Sequence, residues 1–234
     1  MHPFILDRKT ARLILLQRIE LSDPYLKRLR KLFGRYIFTN LITKFLISPN
    51  LIAKNYKLKM FNEFNNIKSH FNFNNKNILS IGAGICGLEM IIYSQSKNSK
   101  FTIIERNYVS KKVRYGWDNN NFEAYNDLSL TKNFLLKNGM KKEDFIIYNF
   151  DKNDLPVKKF DLIISLYSLD YHYDFDIYKP YLSKILNQNT YLILDTIRPE
   201  YFERYFNEIK IIKKETNTVH KSSRIICSGY KIND

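Results

Sequence analysis

Three groups of residues in this 234-residue chain have types and spacings suited to chemistry. The first is Gly82-Ala83-Gly84-Ile85-Cys86-Gly87, reached from the apolar run Ile78-Leu79-Ser80-Ile81 and followed by the helix-compatible stretch from Leu88 to Ser96. Glycines so placed let the backbone turn sharply after a buried strand, approach a ligand closely and open a helix whose free N–H groups face an anionic or hydroxyl-rich group. The second is Glu105, which ends the apolar run Phe101-Thr102-Ile103-Ile104 and is placed to accept hydrogen bonds from a ribose diol. The third is Ser165-Leu166-Tyr167-Ser168-Leu169-Asp170-Tyr171-His172-Tyr173, a run richer in polar and aromatic groups than a connecting loop requires. The first two groups indicate a nucleoside-containing cofactor. Taken alone, the same glycines also suit a tight turn that binds nothing, beside an ordinary surface glutamate.

The elements that must position these residues follow from periodicity. From residue 77 onward, apolar strand-like runs alternate with helical ones, with strands expected near 77–82, 100–105, 144–149, 160–167, 190–196, 208–213 and 222–231. Helices are expected near 87–97, 123–138, 174–187 and 199–207. Such alternation argues for a mainly parallel sheet covered on both faces, with its ligand beyond the carboxyl ends of the strands. Residues 1–75 read as helices without strand alternation, and Asn72-Phe73-Asn74-Asn75 is the expected boundary between a helical cap (1–75) and an α/β core (76–234). Asp23-Pro24 marks a helix start, and Leu26, Leu29, Phe33, Ile37, Leu41 and Phe45 form one apolar face expected to lie on the core. The basic residues Lys27, Arg28, Arg30, Lys31 and Arg35 fall largely off that face, as on a solvated helix or one that meets phosphates or lipid headgroups.

Net charge is +15, and two thirds of that excess lies before residue 76, where fourteen basic residues face four acidic ones. Cys86 and Cys227 are the two cysteines, too few for a disulfide framework or a Cys/His zinc spacing, so no metal site is expected and a reducing, cytoplasmic setting fits. The N-terminal stretch has neither a signal-peptide layout nor a run of roughly 18 apolar residues that would span a membrane. Trp117, within the irregular segment from Tyr108 to Tyr125, reads as a packing anchor more readily than as a substrate contact.

In the order of its motifs the chain resembles the class I S-adenosylmethionine-dependent methyltransferases over residues 77–231. The matching parts are the glycine motif, acidic Glu105 at the end of the second strand, the turn Asp151-Lys152-Asn153-Asp154-Leu155-Pro156, and Phe160-Asp161-Leu162-Ile163-Ile164-Ser165. The resemblance implies a Rossmann-like, seven-stranded, mostly parallel sheet closed by a C-terminal antiparallel hairpin, and S-adenosyl-L-methionine as cofactor. By the same resemblance Gly82, Ala83, Gly84 and Gly87 approach the methionine and ribose, Glu105 binds the ribose hydroxyls, Asp151 and Lys152 lie beside adenine, and Ser165 joins the cofactor set. Where the family often has an acidic residue, this chain has Ser80. The run from Ser165 to Tyr173 is similar, more briefly, to bacterial sugar O-methyltransferases. A hydroxyl acceptor must lose its proton, and because an imidazole side chain suits that task near neutral pH, His172 is the candidate general base, with Asp170 or Tyr171 orienting it or the substrate. His172 equally suits a packed histidine just before a helix N-cap at Asp174, or a binding contact without proton transfer.

The expected activity is therefore methyl transfer to a small-molecule hydroxyl, such as that of a sugar or glycan precursor. The alternatives are an RNA methyltransferase gripping phosphates with its basic N-terminal helices, which is less favoured, an NAD(P)-dependent oxidoreductase using the same glycines and Glu105, and a non-catalytic cofactor-binding scaffold. The acceptor's identity and the oligomeric state are not encoded in these motifs.

Overall fold

A computed structural model describes residues 2–110, 124–171, 173–215 and 221–231. Trp117, His172 and His220 lie outside the described residues. Seven strands form one sheet in the order β3-β2-β1-β4-β5-β7-β6: β1 Asn77–Ile81, β2 Lys100–Glu105, β3 Phe145–Asn149, β4 Leu162–Ser165, β5 Tyr191–Thr196, β6 Phe206–Glu215 and β7 Ser222–Tyr230. The first five run parallel. β7 pairs antiparallel with both β5 and β6, so the chain closes in the expected hairpin. The strand order reverses between β1 and β4, whose register pairs Leu79 with Ile163, and a crevice opens beyond their carboxyl ends.

Helices cover both faces. In β1, Ile78 joins the core beneath the N-terminal helices together with α5 (Gly87–Gln95) and α6 (Leu128–Lys137), whereas Leu79 and Ile81 join the core beneath α7 (Phe175–Ile185). This alternation leaves Ser80 on the α5 side. Asp127 caps α6 by accepting from the Ser129 N–H at 2.9 Å, and Asp174 caps α7 through the Asp176 N–H at 3.1 Å, as the sequence leads one to expect for Asp174. The expected helix near 199–207 is a 3-10 segment, Pro199–Arg204.

The N-terminal part comprises α1 (Arg8–Gln17), α2 (Pro24–Ile37), a π-turn at Phe38–Ile42, α3 (Thr43–Phe45) and α4 (Pro49–Asn65). Asp23 starts α2 by accepting from the Leu26 N–H at 2.7 Å, and Ser48 starts α4 with Pro49 in its first turn. The single apolar face expected along Leu26–Phe45 does not hold. Gly34, at φ 75°, breaks the helix and the π-turn shifts the phase, so Leu26, Phe38 and Ile42 are buried while Phe33, Ile37, Leu41 and Phe45 are exposed. From α4, Tyr56 packs with Phe4 and Phe134, at ring separations of 5.8 and 6.5 Å.

A buried ionic cluster joins this helical part to the far edge of the sheet. Arg224 of β7 donates from Nη1 to Glu63 Oε2 of α4 at 2.5 Å and from Nε and Nη2 to Asp195 of β5 at 2.9 and 3.0 Å. Burial pushes the Glu63 carboxyl up, but Arg224, with Lys213 and Lys59, more than offsets this and holds its pKa down to about 2. Asp195 is pushed up by its own burial, against the pull of Arg224.

Candidate functional site

The glycine turn leaves β1 with Gly82 donating its N–H to the Ile104 carbonyl at 3.0 Å, which ties it to the end of β2. Gly82 and Gly84 adopt φ of 67° and 59°, and a Cβ at either would collide with Ser168 or Gln17 respectively. Both positions therefore favour glycine for conformation, and Gly82 for space as well. Cys86, also left-handed at φ 63°, leads into α5, and its buried thiol is pushed up by desolvation.

Glu105 holds this turn from β2: Oε2 accepts from the Gly84 N–H at 2.7 Å and Oε1 from the Arg106 N–H at 2.8 Å. Enclosure raises its pKa, and these two N–H donors oppose the rise. The Gly87 N–H at the start of α5 is not open to a ligand, because the Tyr56 hydroxyl accepts it at 3.0 Å.

Between the turn and the N-terminal helices runs a narrow cleft of about 30 Å³, lined by Arg18, Glu63, Ser80, Gly82, Ala83 and Glu89 among others. Ser80 Oγ donates to Glu89 Oε1 at 2.5 Å, while Glu89 Oε2 is buried with no hydrogen-bond partner from another residue. Burial pushes the Glu89 carboxyl up to about 7, with Ser80 and Arg18 acting against that shift. Arg18, across the cleft, stacks its guanidinium 5.0 Å from the Tyr167 ring centroid.

The remaining expected residues divide between the rim and the interior. Asp151 and Lys152 are exposed in the turn after β3, with Asp151 Oδ1 3.6 Å from Arg106 Nη1. Arg106 is itself buried, its guanidinium 5.1 Å from the Phe150 ring and 5.4 Å from that of Tyr173. Ser165 is buried and bridges strands: its Oγ donates to the Ile81 carbonyl at 2.8 Å and accepts from the Leu169 N–H at 3.0 Å. Tyr171 meets Tyr167 edge-on at 5.5 Å, and the Tyr167 hydroxyl donates to Glu63 Oε1 at 3.2 Å.

Asp170 is fully buried at φ 58°. It accepts from Thr196 Oγ1 at 2.5 Å and from Arg198 Nη2 at 2.6 Å, and Arg198 also reaches Asp174 at 2.7 Å. Burial pushes its pKa up, against Arg198. Asp195 pairs with Arg224, and Arg198 with Asp170.

The structure thus brings Gly82, Ala83, Gly84, Gly87, Glu105 and Ser165 to one edge of the sheet, sets Asp151 and Lys152 on its rim, and turns the Asp170 carboxylate inward. Sequence reasoning missed Arg18, Tyr56 and Glu89. For Glu89 a signal existed: it stands among Leu88, Met90, Ile91 and Ile92 in a helix apolar on every side, where a carboxylate has no solvated face. Among the described residues no group of His, Cys, Asp and Glu could hold a metal ion.

No protein-family model matches the chain, and no curated protein sequence matches it. Solved structures are similar in fold. One is magnesium protoporphyrin IX methyltransferase from Synechocystis PCC 6803 with bound S-adenosylmethionine, at 16% identity and a TM-score of 0.45, covering 95% of this chain and 96% of that one. Another is ribosomal protein L11 methylase from Lactobacillus delbrueckii subsp. bulgaricus, at 13% identity and 0.47, covering 78% and 80%. Coclaurine N-methyltransferase gives 10% and 0.42 over 62% of this chain, which spans about a third (36%) of that longer protein. The strand order 3-2-1-4-5-7-6, with β7 alone antiparallel to the other six strands, is the class I S-adenosylmethionine-dependent methyltransferase fold.

Proposed function

We propose that the chain is an S-adenosylmethionine-dependent methyltransferase whose acceptor is a small-molecule hydroxyl, such as that of a sugar or glycan precursor, with residues 1–75 capping the core formed by 76–234. The observation that carries the cofactor assignment is the cleft beside the glycine turn. It sets the half-satisfied carboxylate of Glu89 opposite the guanidinium of Arg18. This pair is complementary to the ammonium and carboxylate of a methionyl group, and Glu89 supplies beside Ser80 the negative charge that Ser80 lacks. A dinucleotide suits the cleft poorly. Its diphosphate would face Glu63 and Glu89, and the Gly87 N–H at the mouth of α5 is already taken by Tyr56. Glu105 keeps lone pairs for a ribose diol, and Asp151 and Lys152 are assigned to the adenine edge.

Bound S-adenosylmethionine supplies an electrophilic sulfonium methyl, so the protein's task is positioning and, for a hydroxyl acceptor, proton removal. We assign proton removal to an imidazole nitrogen of His172. Asp170, anchored by Thr196 and Arg198, and Tyr171, packed on Tyr167, would hold the segment that carries it.

Titration calorimetry with S-adenosylhomocysteine, and with NADH for comparison, tests the cofactor assignment. Binding of the former alone, weakened by Glu105→Ala and Asp151→Ala, is expected. Binding of NADH instead would transfer the site to a dehydrogenase. With a turning-over acceptor in hand, His172→Ala and Asp170→Ala should each lower kcat, and unchanged turnover in both would refute the catalytic assignment.

A further inference from the structure

The segment from Pro24 to Leu46 carries apolar side chains in two directions. One set, with Leu26, Phe38 and Ile42 each at or below 5% exposure, is spent on the protein's own core. The other set, Leu32, Phe33, Ile37, Leu41, Phe45 and Leu46, is between 41% and 76% exposed. Single apolar residues on a surface are ordinary, but six within fifteen positions of one kinked helical segment make a patch that asks for a partner.

Charge identifies the partner. From Pro24 to Asn62 the sequence has nine Lys and Arg residues and neither Asp nor Glu. Lys27, Arg28, Lys31 and Lys44 in this stretch are exposed beside the patch. A second copy of the chain would oppose like charges across the interface. An RNA strand would neutralise the cations but leave Leu32, Leu41 and Phe45 in water. An anionic bilayer satisfies both sets, taking the leucines and phenylalanines into the boundary below the headgroups while lipid phosphates meet the Lys and Arg side chains. The segment does not cross such a bilayer, since no helix among the described residues is long and apolar enough to do so.

We propose that the kinked segment α2–α3 docks this protein on the surface of an anionic phospholipid membrane, lying in the interface by the patch centred on Leu32, Phe33, Leu41 and Phe45. Docking is independent of the cofactor, so it stands or falls apart from the methyltransferase reading.

The test is co-sedimentation of the purified full chain with vesicles of phosphatidylcholine alone and of phosphatidylcholine with roughly a third phosphatidylglycerol. At least tenfold stronger partitioning to the anionic vesicles is expected, falling as salt rises. The triple variant Leu32→Ser, Phe33→Ser, Phe45→Ser should lose at least tenfold of that partitioning with an unchanged melting curve, because these side chains are exposed. If it melts earlier, Lys27→Glu, Arg28→Glu, Lys31→Glu provides the second variant and should abolish the salt-sensitive component. Protein that stays in the supernatant with anionic vesicles at low salt would overturn the proposal. So would full binding by both variants, RNA binding that outcompetes vesicles, or a wild-type dimer that the serine variant loses.

Discussion

Replacing Glu89 by Gln separates the charge of the cleft carboxylate from its shape, and the structure sets the expected size of the effect. The pKa is lifted from 4.5 to about 7, chiefly by burial. A carboxyl whose folded-state pKa is raised costs nothing below pH 4.5, where it is protonated in both states. The cost grows as pH rises through the window from 4.5 to 7 and is complete above it, at about 3 kcal/mol. The amide of Glu89→Gln carries its own pH-independent cost, so the informative quantity is how the stability difference between variant and wild type changes with pH. From pH 5 to pH 8 it should move in favour of the variant by about 2 to 3 kcal/mol, roughly 5–10 °C in relative melting temperature for a chain of this length. Cofactor binding should move the other way. If the methionyl ammonium pairs with ionised Glu89, wild-type affinity for S-adenosylhomocysteine rises about tenfold from pH 6 to pH 8, because below its pKa the carboxyl must first lose a proton. The variant should bind more weakly at pH 8 and show little slope. Thermal melts and calorimetry at the two pH values suffice. Equal affinity and equal slope in both proteins would refute the role of Glu89, and a pH-independent stability difference would refute the raised pKa.

Arg224→Ala should destabilise the fold by about 3–5 kcal/mol, since it leaves Glu63 and Asp195 buried without their guanidinium, and a denaturant melt would show it. Glu63, held down at about 2, contributes stability that is complete above pH 4.5 and lost as pH falls toward 2, so the gap between this variant and wild type should narrow in acid. Gly82→Ala forces a side chain into left-handed backbone and against Ser168, and is expected to cost roughly 1–3 kcal/mol and to weaken S-adenosylhomocysteine binding, read by melting and calorimetry. Arg18→Ala should weaken that ligand at least tenfold while leaving adenosine affinity unchanged, because it is assigned to the carboxylate alone. Equal losses for both ligands would contradict that assignment.

The sheet was legible because its residues report on themselves. Strand runs such as Ile78–Ile81 and Leu162–Ser165 are short, apolar and bounded by glycine or polar residues, and Gly82 and Gly84 announce a backbone that other residues adopt at a cost. Helix starts at Asp23 and Asp174 were equally local, since an N-cap reads a distance of two or three residues. What stayed hidden depends on distance along the chain. Nothing near Glu63 points to Arg224, and nothing near Gly87 points to Tyr56, thirty-one residues earlier in α4. The apolar face of α2 misled for a different reason: a helical wheel assumes an unbroken phase, and Gly34 with the following π-turn breaks it.

The bond between Glu63 and Arg224 spans 161 residues, and this has a consequence for the newborn chain. During vectorial synthesis α4 leaves the ribosome with its inward-facing carboxylate paired to Lys59 of the same helix, at 3.2 Å, and without Arg224. At ordinary elongation rates its counter-ion follows on the order of ten seconds later. Until β7 arrives, α4 has less reason to settle, because seating Glu63 against the unfinished sheet would bury its carboxylate without the Arg224 guanidinium. The helices made first would therefore dock last, and a chain stalled before β7 would present its N-terminal segment undocked to chaperones and proteases.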